Sequence, residues 1–182
     1  GGYYDATDRE FRGFAKIRVS DPITNNYTET YFYQGKSGQD GALKGQIDKA
    51  LAFDGNNRQI SQAINTYEVR KAGPQDNVLG FPMLTETSAT IWEENATSIT
   101  TKSRMVYDNI GNMTEAFDDG DVLITGDERS TATAYSSAYE SGHNRPLEVL
   151  LKDKDSIVIS KKAFGYDIRG NLIKDTVFVF NP

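Results

Sequence analysis

Hydrophobic and polar positions along this chain alternate far more often than they recur at helical spacing. From Phe14 to Val19, Ala15, Ile17 and Val19 fall on one face and Phe14, Lys16 and Arg18 on the other, the period of a strand with one side toward a core. The turn cluster Asp21–Asn26 follows, alternation resumes from Tyr27 to Tyr33, and the two segments are expected to pair as a hairpin ahead of the glycine-rich stretch Gln34–Gly41. Leu43, Ile47 and Leu51 sit at four-residue spacing, yet Gly45 interrupts them and Phe53-Asp54-Gly55-Asn56-Asn57 is turn chemistry. Two strands about an Asp-Gly turn are the expectation there. The breaker cluster Arg70–Asn77 marks a possible seam near residues 71–80, after which Thr-, Ile- and aromatic-rich segments recur around Glu94-Asn95-Ala96. Met113–Phe117, Asp121–Gly126 and Ser130–Tyr139 continue the rhythm, and Pro146–Phe180 adds strands separated by Lys152–Asp155 and Asp167–Gly170. Turns every eight to fifteen residues with hardly any helical pattern predict an all-β antiparallel meander of hairpins.

One frame recurs within that rhythm. Tyr107-Asp108, two variable residues, then Gly111-Asn112-Met113 is repeated as Tyr166-Asp167, two variable residues, Gly170-Asn171-Leu172, a spacing of 59 residues from 107 to 166. Tyr4-Asp5 and Phe53-Asp54 are degenerate relatives. Every position has a structural reason. A strand-terminal Tyr can seal the margin of a sheet and satisfy its hydroxyl, and the following Asp can accept a backbone N–H two residues on. Gly111 and Gly170 then supply positive φ, Asn112 and Asn171 tolerate the left-handed region beside them, and Met113 or Leu172 returns the chain to a buried face. Catalysis would need a base, metal or nucleophile beside the Asp, and the frame contains none.

Composition narrows the function classes. The 182 residues are 37% hydrophobic, with ten Tyr, nine Phe and one Trp, a mixture suited to sheets and tight turns. Twenty basic against 26 acidic residues give a formal charge of −6 with no basic stripe, which argues against nucleic acid. No apolar run exceeds four residues, so no membrane-spanning segment or signal core is expected. The absence of cysteine removes disulfides and thiolate chemistry.

With the repeats in view, the chain resembles the Rhs/YD-repeat family. It is most similar to the segment of toxin-complex B components and related virulence-plasmid toxin proteins that carries an R-E-F-R-G-F string, here Arg9-Glu10-Phe11-Arg12-Gly13-Phe14 within Tyr3–Asp21. Thr30–Gly35, Leu43–Gly45, Phe53–Arg58, Tyr67–Val69 and the two full frames extend the match through nearly the whole segment. The resemblance implies hairpins that spiral into a hollow β-shell enclosing a toxin domain, with this chain a single 1–182 repeat segment, an arc of that shell and a piece of a larger protein. It further implies a secreted or cell-surface location and, as partners, the remaining repeats and an enclosed toxin domain. The self-cleavage junction of the family is not recognisable here, so neither autoproteolysis nor a toxin is assigned.

Other candidates carry less. His143, the sole histidine, reads as a loop residue, and without thiols or a second imidazole no zinc site is expected. The acidic clusters Asp118–Asp121 and Asp153–Asp155 do not match a calcium loop and read as solvated hairpin tips. Gly35–Gly41 lacks the spacing of a phosphate loop, and no serine elbow appears. No catalytic, cofactor or metal residue is therefore expected. Arg9, Glu10 and Arg12, interleaved with Phe11 and Phe14, read either as an interface patch or as an ion pair with aromatic anchors between sheet layers. The expected role is a noncatalytic structural segment. The alternative is a self-contained sandwich-like extracellular module binding glycan or protein through exposed Tyr and Trp92.

Overall fold

The computed structural model describes residues 1–36, 41–72, 79–93, 97–136 and 145–180. His143, the Glu94-Asn95-Ala96 turn, part of the glycine-rich stretch and residues 73–78 of the expected seam lie outside the described residues. The chain is a meander, as the alternation predicts. β1 (Gly2–Asp5) and β2 (Glu10–Phe14) form a two-stranded ribbon. The strands β3 (Lys16–Ser20), β4 (Tyr27–Phe32), β5 (Ile47–Phe53), β6 (Gln59–Ala72), β7 (Leu79–Trp92) and β8 (Ser98–Tyr107) come next. They are followed by β9 (Met113–Asp121), β10 (Arg129–Tyr135), β11 (Pro146–Lys152), β12 (Val158–Tyr166) and β13 (Leu172–Val179). β3 to β13 lie in sequence order in one eleven-stranded sheet. The only helical element among the described residues is a 3-10 turn at Gly41–Leu43, where the helical spacing of Leu43, Ile47 and Leu51 is otherwise overridden by strand pairing.

Two compact units are distinguished, Gly1–Thr101 and Lys102–Pro182. In the first, registers align side chains into rows across the sheet, because directly opposed residues of antiparallel strands share a face. Arg18, Glu29, Leu51, Gln62 and Thr90 form one row, beside Lys16, Tyr31, Lys49 and Ile64. The opposite face carries the flat row Ile17, Thr30, Ala50, Ala63 and Ala89. In the second unit, Ala116, Thr131, Leu151, Ser160 and Val179 form one row and Glu115, Ala132, Leu150, Lys161 and Phe178 another.

Burial is where the structure departs from the sequence reading. Met83, 7% exposed, is the only buried hydrophobic side chain among the described residues. The strand after Phe14 begins at Lys16, and all five of its residues are exposed, so Ile17 and Val19 do not face a core. Met113 and Leu172 likewise remain exposed rather than returning to a buried face. Position accounts for all four: Ile17 and Val19 stand on β3 and Leu172 on β13, the two edge strands of the long sheet, and Met113 is the first residue of β9, so each has few neighbours to cover it.

Candidate functional site: the turn frame and the N-terminal ribbon

The frame is a five-residue loop closed by its Asp. Asp108 Oδ1 accepts from the N–H of Ile110 at 3.0 Å and of Asn112 at 2.9 Å, and Oδ2 accepts from Asn112 Nδ2 at 2.7 Å. Backbone bonds from Asp108 N–H to Asn112 O and from Gly111 N–H to Asp108 O complete it, with Gly111 at φ 92°. Asp167 repeats each bond with Arg169, Asn171 and Gly170, the last at φ 80°. Asn112 and Asn171 therefore serve as side-chain donors to the Asp and are not left-handed themselves.

Two further turns are built the same way without the glycine. Asp54 Oδ1 accepts from Asn56 and Arg58, with Asn57 at φ 64°, and Asp153 Oδ1 accepts from Asp155 and Ile157, with Ser156 at φ 65°. The signal in sequence for the Asp153 turn is an Asp followed five residues later by a strand start, Val158, as Met113 follows Asp108 and Leu172 follows Asp167. Asp5 and Asp21 cap turns one residue longer, whose left-handed residues are Arg9 and Asn25. The Asp118–Asp121 cluster is no tip: Asp118, Asp119 and Asp121 all belong to β9, and Asp119 bonds Arg104 across the sheet at 2.6 and 2.7 Å.

These bonds hold the carboxylates ionised. At Asp108 burial opposes the charge, but the Asn112 side chain and the surrounding N–H groups outweigh it and lower the pKa. At Asp167 the Asn171 side chain is the chief cause of the same shift, and at Asp54 the Arg58 N–H.

The tyrosines do more than close the margin. Tyr166 donates its hydroxyl to Pro146 O at 2.8 Å, Tyr135 to Met113 O at 3.0 Å and Tyr67 to Ile47 O at 3.0 Å. Each acceptor is the first residue of the strand preceding the tyrosine's own. Tyr67, Tyr135 and Tyr166 thus form a series on β6, β10 and β12, and Tyr107 ends β8, the strand of the same parity between them. The spacing of 59 residues between the two complete frames covers two hairpins, and Tyr135, followed by Ser136 instead of Asp, hides the repeat between them.

The R-E-F-R-G-F string divides its residues between two jobs. Arg12 is the hub: its guanidinium is bonded to Asp8, lies 3.1 Å from Asp5 and donates to Gly35 O. Glu10 pairs with Lys44 at 2.6 Å, and Gln34, 2% exposed, donates to Gly13 O at 2.9 Å. These contacts bolt the β1–β2 ribbon to the segments that flank the 3-10 turn. Arg9, by contrast, makes the left-handed corner of the ribbon. Phe11 and Phe14 are each 56% exposed and meet edge-on at 5.6 Å, so they do not anchor one layer on another; Tyr4, opposite Phe11, is exposed too. Gly13, at φ 80°, lies in the segment where the β1–β2 register shifts, and the shift lets Phe14 reach Phe11.

A second cluster escaped the sequence reading. Glu29, 5% exposed, accepts from Lys16 at 3.0 Å, from Arg18 at 2.6 Å and from the Tyr31 hydroxyl at 2.6 Å. The Tyr31 bond, then Arg18 and Lys16, bring its pKa from 4.5 to about 2. Pairing Lys16 with Tyr31 across the Asp21–Asn26 turn places all four on one face, so the hairpin register held the signal. In the second unit a groove of about 360 Å³ runs past Arg104, Phe117, Asp119, Ser130 and Lys154. Its aromatic floor is covered by Arg104, 4.6 Å above the Phe117 ring, which leaves no bare platform of the kind that stacks a sugar.

No family model and no curated protein matches the sequence. In three dimensions the chain is similar to one chain of a solved structure, the crystal structure of TcdB2-TccC3-TEV, with a TM-score of 0.72 and 11% identity. The likeness covers 99% of this chain and 15% of that one, and what it shows is a shared all-β fold, end to end, with a segment of a TcdB2-TccC3 structure.

Proposed function

We propose that this chain is a noncatalytic wall segment of an Rhs/YD-repeat shell, which encloses a toxin domain and helps to deliver it from a secreted or cell-surface protein. The observation that carries the reading is an eleven-stranded meander sheet, with Met83 as the only buried hydrophobic side chain among the described residues, together with a fold likeness running the length of the chain. A self-standing domain of this size ordinarily buries a core, whereas a repeat wall draws its stability from neighbours. The turn frames fit a wall because their Asp carboxylates are consumed in closing loops. A sandwich-like module would need two large face-packed sheets, whereas β3 to β13 lie in one sheet and the second is only the two-stranded β1–β2 ribbon. The partners under this reading are the other repeats and the enclosed domain; no helix is long and apolar enough to cross a membrane among the described residues. Size-exclusion with light scattering tests it. Concentration-dependent association is expected, and a compact monomer whose melting temperature rises with added glycan would refute it.

A further inference from the structure

The face of the first unit that holds Glu29 carries more positive charge than it neutralises. In the adjacent rows that run from Lys16, Arg18 and Ser20 across β4 and β5 to β6, three cations, Lys16, Arg18 and Lys49, meet one acid, Glu29. The chain as a whole has a formal charge of −6, so this excess is local.

The cations stand at two stations. Lys16 and Arg18 reach the same oxygen, Glu29 Oε1, at 3.0 and 2.6 Å, and their side chains stay 43% and 50% exposed, which leaves one positive charge over. Lys49 follows Tyr31 in the row that Lys16 begins. Its ammonium lies 4.9 Å from the centre of the Tyr31 ring, and that of Lys16 lies 5.7 Å from it. Lys49 pairs with no carboxylate among the described residues. The Tyr31 hydroxyl is fixed on Glu29 at 2.6 Å, so the ring is a partition between two ordered positive positions.

Two features select the ligand. A lone phosphate meets one station, whereas two carboxylates on one extended chain, about 7 Å apart at alternate positions, reach both. The rings are also taken: Tyr27 carries the Arg18 guanidinium at 4.1 Å and stacks with Phe53 at 4.7 Å, and Tyr31 carries the two ammoniums. That leaves no bare platform on this patch for a base, which argues against single-stranded nucleic acid.

We propose that this face binds an extended acidic polypeptide segment, with carboxylates at alternate positions seated on the Lys16–Arg18 pair and on Lys49. The inference goes beyond the shell reading, since it fixes the charge of a contact and not what a wall encloses.

The test titrates the full chain at low ionic strength with the capped peptide Gly-Thr-Glu-Thr-Glu-Thr-Gly, beside versions with Gln in place of one or both Glu. Binding is read from the NMR amide shifts of Lys16, Arg18, Tyr31 and Lys49. Each Glu-to-Gln change is expected to weaken binding by about fivefold, the upper value for an exposed ion pair. Lys49→Gln should weaken the two-carboxylate peptide by the same factor. Lys174→Gln, the same charge change at an exposed position of the second unit, should leave it unaltered. Equal binding of the two-Glu and two-Gln peptides overturns the proposal, as does a Lys49→Gln protein that binds like Lys174→Gln. So does the absence of shifts at about 5 mM peptide, a concentration that detects even a millimolar affinity. Inorganic phosphate or oligothymidylate saturating the same residues at or below the peptide concentration overturns it by showing an unselective anion patch. Shifts there that grow with protein concentration alone also overturn it, by assigning the face to a second copy.

Discussion

Replacing Asp108 by alanine tests whether the frame is a structural device. The substitution removes the acceptor of three hydrogen bonds, from Ile110 N–H, Asn112 N–H and Asn112 Nδ2, at 3.0, 2.9 and 2.7 Å. Bonds to a charged acceptor contribute about 1.5 kcal/mol or more each when shielded, and the half-exposed position of Asp108 reduces that toward the neutral value near 1 kcal/mol. A net loss of about 3 kcal/mol follows, which lowers a urea midpoint by about 1.5 M for an m-value near 2 kcal/mol/M. Asp108→Asn keeps Oδ1 and the shape of the side chain while losing the charge, and is expected to cost about half as much. Asp155→Ala is the control, since among the described residues that carboxylate pairs with the neighbouring Lys154 and closes no turn. Because the folded pKa of Asp108 is depressed, its stabilisation is present above the unfolded value of 3.8 and lost as pH falls through the folded one. The gap between the wild type and Asp108→Ala should therefore narrow below pH 3.8. If Asp108→Ala unfolds within about 0.5 kcal/mol of Asp155→Ala at neutral pH, the turn does not depend on its Asp and the reasoning is wrong.

Gly111→Ala places a Cβ at φ 92° in otherwise open space, so backbone strain of about 1 kcal/mol is expected, whereas Gly111→Asn should be milder because Asn57 holds the same corner at φ 64°. Gly170→Ala, at φ 80°, should cost about as much as Gly111→Ala in the same denaturation assay, since its Cβ meets only the tip of Arg145, which can swing away from Tyr166. Tyr166→Phe deletes the bond to Pro146 O and should destabilise the second unit by about 1 kcal/mol, with faster amide exchange at the start of β11; Tyr4→Phe, at an exposed site, should change neither. Glu29 has its pKa lowered to about 2, so it stabilises the fold above 4.5 and ceases to do so as pH falls from 4.5 toward 2. Circular dichroism across that window should show a loss in the wild type that is flattened in Glu29→Gln.

Much of the architecture was legible because it is local. The period of two in Tyr27–Tyr33 and the turn chemistry at Asp54, Asp108 and Asp167 are written within a few residues, and those hairpins form where the alternation places them. Depth was not legible, since alternation says which residues share a face and not whether anything covers it. Ile17, Val19, Met113 and Leu172 carry the pattern of core positions and stay in solvent. Register-dependent contacts were hidden for a different reason. Arg12 reaches Gly35 across 23 residues and Tyr166 reaches Pro146 across 20, distances over which composition has no memory. The Glu29 cluster lay between, recoverable only by aligning β3 and β4 about their turn.

The tyrosine series imposes a parity on this fold. Tyr67, Tyr135 and Tyr166 each hook the start of the strand before their own, so they work only on strands that run in one direction. A lineage that lengthened or shortened such a chain by a single strand would reverse the direction of everything downstream and strand each hydroxyl at the wrong end. Growth and loss should therefore proceed in pairs of strands, with the hairpin as the indivisible currency of change.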